Sequence, residues 1–474
     1  MSSESNSAPR ARAIDALRGY AILTMVLSAT IAGGILPKWM YHIQEPPPLH
    51  QYIPLLSGLT WVDLVFPFFL FAMGAALPFS VGKRRLRGES TARLVGDAVI
   101  RCLELGFFAI FVQHFYPYCL SVPQDPRAWL LAIGCFALLF PMYMRLPFKH
   151  LPAIGHRLVK FGAYAVAIVL LLTTHYASGG FDVRHSNIII LILANMALFG
   201  TLAYLLTVSN RPVRIVIGCF ALAFGLAADV GGSWAQEVAR WSPIPFLIRF
   251  DYLRYLVLII AGSIAGEQVA QFLAARSTNA QDHFSHRKAL LLAMVCLGLV
   301  VANLWGLFAH QLAVLLVLDV VLIGLGIRLL RSEKGCYATL WRKLLLFGAL
   351  LLFLSLACEP LQGGIRKDPA TTGYLLMTSA LAFFALLFFS ILCDAFDNRR
   401  STAFLTMSGQ NPMVAYVAAD LLIIPVLQLA GLFTPLVAVC HTSPWLGFLQ
   451  GVVLTSLVLL VTMFFTRIRW FWRT

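Results

Sequence analysis

PKWMYHIQEPPPLHQYIPLLSGLTWVDLVFPFFLFAMGAALP, residues 37 to 78, holds the reading from which the fold follows. An apolar helix ends at its start, a polar loop follows, and a second apolar helix begins near Trp61. Thr60-Trp61-Val62-Asp63 carries the Ser/Thr-x-x-acid signature of a helix start, in which Thr60 caps free amides and Asp63 caps back. Two histidines, His42 and His50, lie in the loop, and the prolines at 46 to 48, with Pro37 and Pro54, stiffen it. The pattern predicts an ordered, ionisable cluster at a membrane edge.

The rest of the composition agrees with a membrane. Of 474 residues 59% are hydrophobic and only 12% charged, and the mean hydropathy is +0.81, which point to an all-α, polytopic helix bundle rather than two or three soluble domains. The net charge of +15 comes from short basic runs between apolar segments, so it reads as topology and not as a nucleic-acid stripe. Nine cysteines include no Cys-x-x-Cys and no metal spacing, and the reading is no metal and small apolar core residues. Asp15 and Arg18 interrupt the first apolar run, and no small-x-small cleavage site follows, which predicts a retained first helix.

Fourteen apolar runs are long enough to span, near 19–36, 61–81, 94–112, 128–144, 158–175, 187–208, 213–229, 251–273, 289–308, 311–330, 343–358, 371–393, 411–430 and 444–466. Some are short, and the expected number of spans is about 11 to 14. Every even gap between runs is basic, from Lys83, Arg84, Arg85, Arg87 and Arg93, through Arg145 and Lys149, to Arg399 and Arg400. The odd gaps carry fewer cations, Arg366 and Lys367 being the weakest case. Both termini are therefore expected in the cytoplasm and the His42 to Gly58 loop outside. The expected division is a cytoplasmic segment 1–18, one transmembrane domain 19–466, and a basic cytoplasmic tail 467–474. Pro67 should kink the second helix, and Gly262 and Gly266 should let helices approach closely.

Ionisable groups inside a bilayer cost about 2.5 to 3.5 kcal/mol each at a helix centre. Asp15 with Arg18, Arg101 with Glu104 and Asp251 with Arg254 are spaced i, i+3, so each pair can neutralise itself on one helical face. His42 and His50 are the candidates for proton transfer near neutral pH. Asn195 and Asn303 read as helix-packing amides, while Asn411, at the start of a helix, can meet an anion or a substrate.

Three blocks, AIDALRGYAILTMVLS, GLTWVDLVFPFFLFAMGAAL and SGQNPMVAYV, together resemble the transmembrane acyltransferases related to heparan-alpha-glucosaminide N-acetyltransferase, and in particular their bacterial relatives. Further stretches such as DYLRYLVLIIAGSIAGE and RKDPATTGYLLMTSALAFF extend the similarity over most of the chain. The resemblance implies acetyl transfer from cytosolic acetyl-CoA to a sugar or glycan acceptor on the outer face, in an inner membrane among lipids, with homo-oligomerisation open. It implies a catalytic histidine in the loop before the DLVFP helix. His42, after Trp39-Met40-Tyr41, matches its position; His50 has the closer spacing to Gly58. The histidine would remove the acceptor's proton or carry the acetyl group, with Asp63 orienting it. The family's asparagine near the end of the first helix is absent, and Ser28 and Thr30 stand in that stretch as substrate contacts. Arg18, Lys83, Arg84 and Arg85 would meet the CoA phosphates. Two other readings remain: a secondary transporter or flippase for a related glycan or lipid, and a noncatalytic membrane partner.

Overall fold

The computed structural model describes residues 11–144, 152–278 and 284–472. The expected N-terminal segment up to Arg10, the cations Arg145 and Lys149, and the last two residues of the tail lie outside the described residues. Each apolar run of the sequence falls on a helix, and among the described residues there is no strand, only isolated bridges at Met144–Trp472 and Tyr176–Gly179. The helices are α1 Arg12–Thr30, α2 Trp61–Leu77, α3 Thr91–His114, α4 Pro126–Tyr143, α5 Ala153–Thr173, α6 Ile188–Leu206 and α7 Arg211–Ala228. They continue as α8 Leu256–Thr278, α9 His286–Phe308, α10 Leu312–Arg331, α11 Cys336–Cys358, α12 Thr372–Phe389, α13 Arg399–Gln410, α14 Pro412–Leu429 and α15 Pro444–Arg467.

Thirteen helices among the described residues are long and apolar enough to cross a membrane, and the chain is a multi-pass helix bundle. The apolar run at 94–112 lies on α3, which is long and apolar enough but carries Asp97, Arg101 and Glu104 within that stretch, and so is not among the thirteen. α13 is a short additional helix packed on α1. The first helix starts at Arg12 rather than 19 and stops at Thr30 rather than 36. Gly34, at φ +79, takes the chain out of the helix, and the Tyr41 hydroxyl holds the returning loop by donating to Ala32 O and accepting from Leu36 N.

The interior is built on α1, α2, α8 and α12, the last being 89% buried. α2 continues through Pro67. It meets α8 at backbone distance, as the small residues of the sequence led one to expect. A Cβ on Gly262 would stand 2.0 Å from Phe71 O, and one on Gly266 2.2 Å from Ala75 O. Gly262→Val should therefore push the two helices apart, at about 1 to 3 kcal/mol for overpacking, read as a lowered melting temperature in detergent.

The loops gather at two ends. Gly58 N donates to Ile365 O at 2.8 Å, and Arg254 reaches Ala370 O at 3.2 Å, so the gaps before α8 and α12 share one end with the His42 loop. At the other end Arg12 pairs with Asp397 at 2.6 Å, and Asn411 holds Trp470 O and Trp472 N. Two of the three expected i, i+3 ion pairs are replaced by partners from other elements. Asp15 and Arg18 do meet, at 3.8 Å. Glu104 pairs with Lys160 of α5 at 2.5 Å, outside ion-pair contact with Arg101 but still within Coulombic range of it. Asp251 pairs with Arg249 at 2.7 Å, and Arg254 with Asp229 at 2.9 Å. Glu104 and Arg254 thus find partners on other helices or segments, and Asp251 one two residues back, each closer than the residue a turn away.

Candidate active site

Two elements hold His42. The 3-10 turn Lys38–Met40 delivers Tyr41, anchored as described, and the N-terminus of α2 supplies Asp63. The Asp63 carboxylate is 1% exposed and four donors converge on it. His42 Nδ1 lies 2.7 Å from Oδ1; Ile43 N, Thr60 N and Thr60 Oγ1 lie 3.3, 3.0 and 2.9 Å from Oδ2. The expected capping box is present in both halves, Asp63 accepting from the Thr60 amide at 3.0 Å, and the Thr60 hydroxyl also reaches Tyr41 O at 2.8 Å. One carboxylate both starts α2 and fixes the imidazole. With Nδ1–H donated to Asp63, the lone pair resides on Nε2.

Lys367, far away in sequence, completes the group. Its Nζ stands 3.0 Å from His42 Nδ1 and 3.2 Å from Nε2, nearly equidistant, so it sits against the ring rather than in line with one lone pair. The α11–α12 loop that carries it is docked onto the His42 loop. Gln44 clasps the Asp368 backbone, Oε1 accepting from N at 2.9 Å and Nε2 donating to O at 2.6 Å, and the Tyr52 hydroxyl donates to Asp368 O at 2.9 Å. Burial lowers the Lys367 ammonium from the ordinary lysine value, against the opposing pull of Asp63, Glu45 and Asp368. Sequence reasoning missed this residue, although a signal was present: two cations stood in a gap that alternation required to be poor in them.

His42 and Lys367 open onto a cavity of about 340 Å³. Ser28, Tyr116, Tyr416 and Asp420 supply its other polar groups, and Met25, Val65 and Phe66 part of its apolar wall. Asp420 lies in the π-helical turn Ala419–Ile423 within α14, a widened geometry common at functional positions. Its carboxyl makes no hydrogen bond or ion pair with a described residue. Asp63 has Lys367 for a counter-charge; among the described residues Asp420 has none within ion-pair distance.

The remaining sequence candidates are dispersed. Both ring nitrogens of His50 are engaged by backbone, Nε2 accepting from Gly34 N at 2.9 Å and Nδ1 facing Glu45 O at 3.0 Å, and its ring packs edge-on to Tyr41. Ser28 is in the cavity wall with its hydroxyl on Met25 O at 2.8 Å. Thr30 turns away toward α15, bonding Val26 O at 2.8 Å. Asn411 ties down the C-terminal segment at the opposite end. Arg18 donates to Ala72 O and Gly409 O, both at 3.3 Å. Arg84 is held by Glu89 and Asp97 at 2.6 and 2.5 Å, whereas Lys83 and Arg85 are exposed. Among the described residues no group of three or more His, Cys, Asp or Glu is arranged to hold a metal ion.

A family model described as a domain of unknown function, DUF5009, matches residues 10–269. The heparan-alpha-glucosaminide N-acetyltransferase of Homo sapiens is 33% identical over 121 residues, 26% of this chain. That of Mus musculus is 32% identical over 124 residues, again 26% of the chain. The match spans 16% of the length of either relative. Lys367 and Asp420 lie beyond the residues matched by the family model.

Proposed function

The chain belongs to the DUF5009 family, and from that membership and the chemistry of its cavity we propose that it is a membrane acyltransferase. It moves an acetyl group from acetyl-CoA, approaching from the cytoplasm, to a sugar or glycan acceptor bound in the His42 cavity on the outer face. The single transmembrane domain 19–466 carries the whole reaction, in a bacterial inner membrane. The observation that carries the reading is the 2.7 Å contact of His42 Nδ1 with buried Asp63, which leaves Nε2 as a base on a cavity that also holds an uncompensated carboxylate.

In this reading Asp420 accepts hydrogen bonds from the acceptor's amine or hydroxyl and presents it to His42. Nε2 takes the acceptor's proton as its nitrogen or oxygen attacks the thioester carbonyl. The new N–C or O–C bond forms, the carbonyl electrons move onto oxygen, and the Lys367 ammonium stabilises that oxyanion. Collapse breaks the C–S bond, and the proton on His42 leaves with the CoA thiolate as the thiol. Asp63 keeps the imidazole in the required tautomer throughout.

The charge on Lys367 gives a pH signature. Because burial lowers its pKa, the ammonium is lost at a pH below the ordinary lysine range, so transfer should fall on the alkaline side through that lowered value. Lys367→Arg should move the alkaline limb upward, and Lys367→Met should abolish the limb and be slow at every pH. An unchanged profile in both variants would remove Lys367 from the reaction. The proposal as a whole is tested in proteoliposomes with radiolabelled acetyl-CoA on one side and glucosamine sealed on the other. Labelled N-acetylglucosamine should appear in the lumen when the Lys83 end faces the donor. Unmodified sugar crossing without acetylation would favour the transport reading.

A further inference from the structure

α9 and α10 run antiparallel, joined by a tight turn at His310, whose φ is +54. Leu315, Asp319, Ile323 and Gly326 follow at i, i+4, i+8 and i+11, so they share one buried face of α10, while Val317, Val320 and Val321 on its other side are exposed. Asp319 stands about 10 Å along the helix at 1.5 Å per residue, inside an apolar span. Both it and Asn303 of α9 are 0% exposed, and neither lines the His42 cavity.

The Asn303 amide nitrogen donates to Leu299 O at 2.9 Å and to Asp319 Oδ1 at 2.8 Å. Because a backbone carbonyl only accepts, Leu299 fixes which end of the amide is nitrogen. Asn303 Oδ1 and Asp319 Oδ2 are then both acceptors, both buried and both without a hydrogen-bond partner. No described cation forms an ion pair with Asp319. His286, Arg287 and Lys288 of α9, Arg328 and Arg331 of α10, and Arg342 and Lys343 of α11 lie toward the end of the hairpin away from His310, and α12 carries no charged residue from Thr372 to Phe389. A carboxylate with one hydrogen bond and no counter-charge, paired with an amide oxygen that lacks a donor, is short of a proton on both sides. A metal cation would require a shell of several oxygens, and among the described residues no three His, Cys, Asp or Glu are arranged to hold one.

We propose that Asp319 and Asn303 form a proton-binding site within the bilayer, with Asp319 as the neutral acid, its Oδ2–H donating to Asn303 Oδ1 and its Oδ1 accepting from Asn303 Nδ2. An acid and a primary amide complement one another in this way, each giving one donor and one acceptor. The bound proton closes the hairpin one turn below Leu307, whose carbonyl oxygen would stand 3.1 Å from a Cβ on Gly58 of the His42 loop. A neutral carboxyl in an apolar setting is also the group that an apolar carbodiimide modifies. A carboxyl oxygen bonds to the central carbon, one C=N becomes C–N, and the acid's proton goes to that nitrogen, so no atom is lost. The site does not depend on the acyltransferase reading.

Infrared difference spectroscopy on the full chain in lipid nanodiscs at neutral pH, parent against Asp319→Asn, tests the proposal. The difference should contain the C=O stretch of a protonated carboxyl, moved by heavy-carbon labelling of aspartate, and no carboxylate band. Asp319→Asn offers the same donor and acceptor as the neutral acid, so it should melt with the parent, whereas Asn303→Leu strips the acid of both partners and should melt lower. Dicyclohexylcarbodiimide should give an adduct on the peptide that carries Asp319 in the parent, lost in Asp319→Asn. Carboxylate bands in the difference overturn the proposal. So does an Asp319→Asn chain that fails to fold, since a neutral isostere should replace a neutral acid. A protonated band that gives way to carboxylate bands when sodium or lithium is added makes the pair a cation site and overturns the proton assignment.

Discussion

His42→Ala should lose acyl transfer by about 10²- to 10⁴-fold, the range of a positioned general base, while folding and donor binding persist. Its Nε2 is the histidine nitrogen on the cavity, and Asp420, which shares that cavity, is the group whose residual base activity sets the lower end of the expected loss. His50→Ala should behave differently. It removes two contacts to backbone and the edge-on contact with Tyr41, so its effect should be on loop stability, about 1 kcal/mol for hydrogen bonds of this kind, with a much smaller loss of rate. Single-turnover rates on both variants check this pair. An intact rate in His42→Ala with a collapsed rate in His50→Ala would exchange their roles, and intact rates in both would remove histidine catalysis from the loop.

Asp63→Asn should be nearly as damaging, by about 10²-fold or more through loss of the oriented base. The amide preserves shape but offers a donor where the carboxylate accepted four hydrogen bonds. The imidazole then has reason to turn its lone pair toward the amide and its N–H toward the cavity. A measurement of rate alone would not separate this from damage to the cap of α2, which contributes about 1 kcal/mol. Thr60→Val provides the separation: it removes the hydroxyl bridge between Tyr41 and Asp63 while leaving the Asp63–His42 contact. Its melting temperature should fall with a modest loss of rate, whereas Asp63→Asn should lose far more rate than its own melting shift accounts for.

The helices and their order were legible because each apolar run is long and bounded by Gly, Pro or charge, which is the information a bilayer requires. Gly262 and Gly266 were legible for a related reason, since small residues four apart on an apolar helix mark a close approach. The partners of the charged groups were not. Glu104 with Lys160, and Arg254 with Asp229, join helices whose adjacency no local spacing encodes. The loop before α2 could be picked out with both its histidines and with Asp63, because the cap signature is local. What distinguishes His42 from His50 lies in tertiary contacts: Lys367 arrives from more than three hundred residues away, and Asp420 from a widened turn that periodicity alone does not reveal. The cation count in the α11–α12 gap was the one local trace of Lys367.

The central claim is that the cavity at His42 consumes a thioester, and thiol release by purified protein tests it most directly. The chain in lipid nanodiscs is mixed with excess acetyl-CoA and glucosamine, and free CoA thiol is followed with a thiol-reactive dye against His42→Ala at matched folded concentration. The account predicts acceptor-dependent release by the parent chain and release at least about 10²-fold slower in the variant. Equal release from both, or none from a parent preparation shown to be folded and to bind CoA, would contradict it.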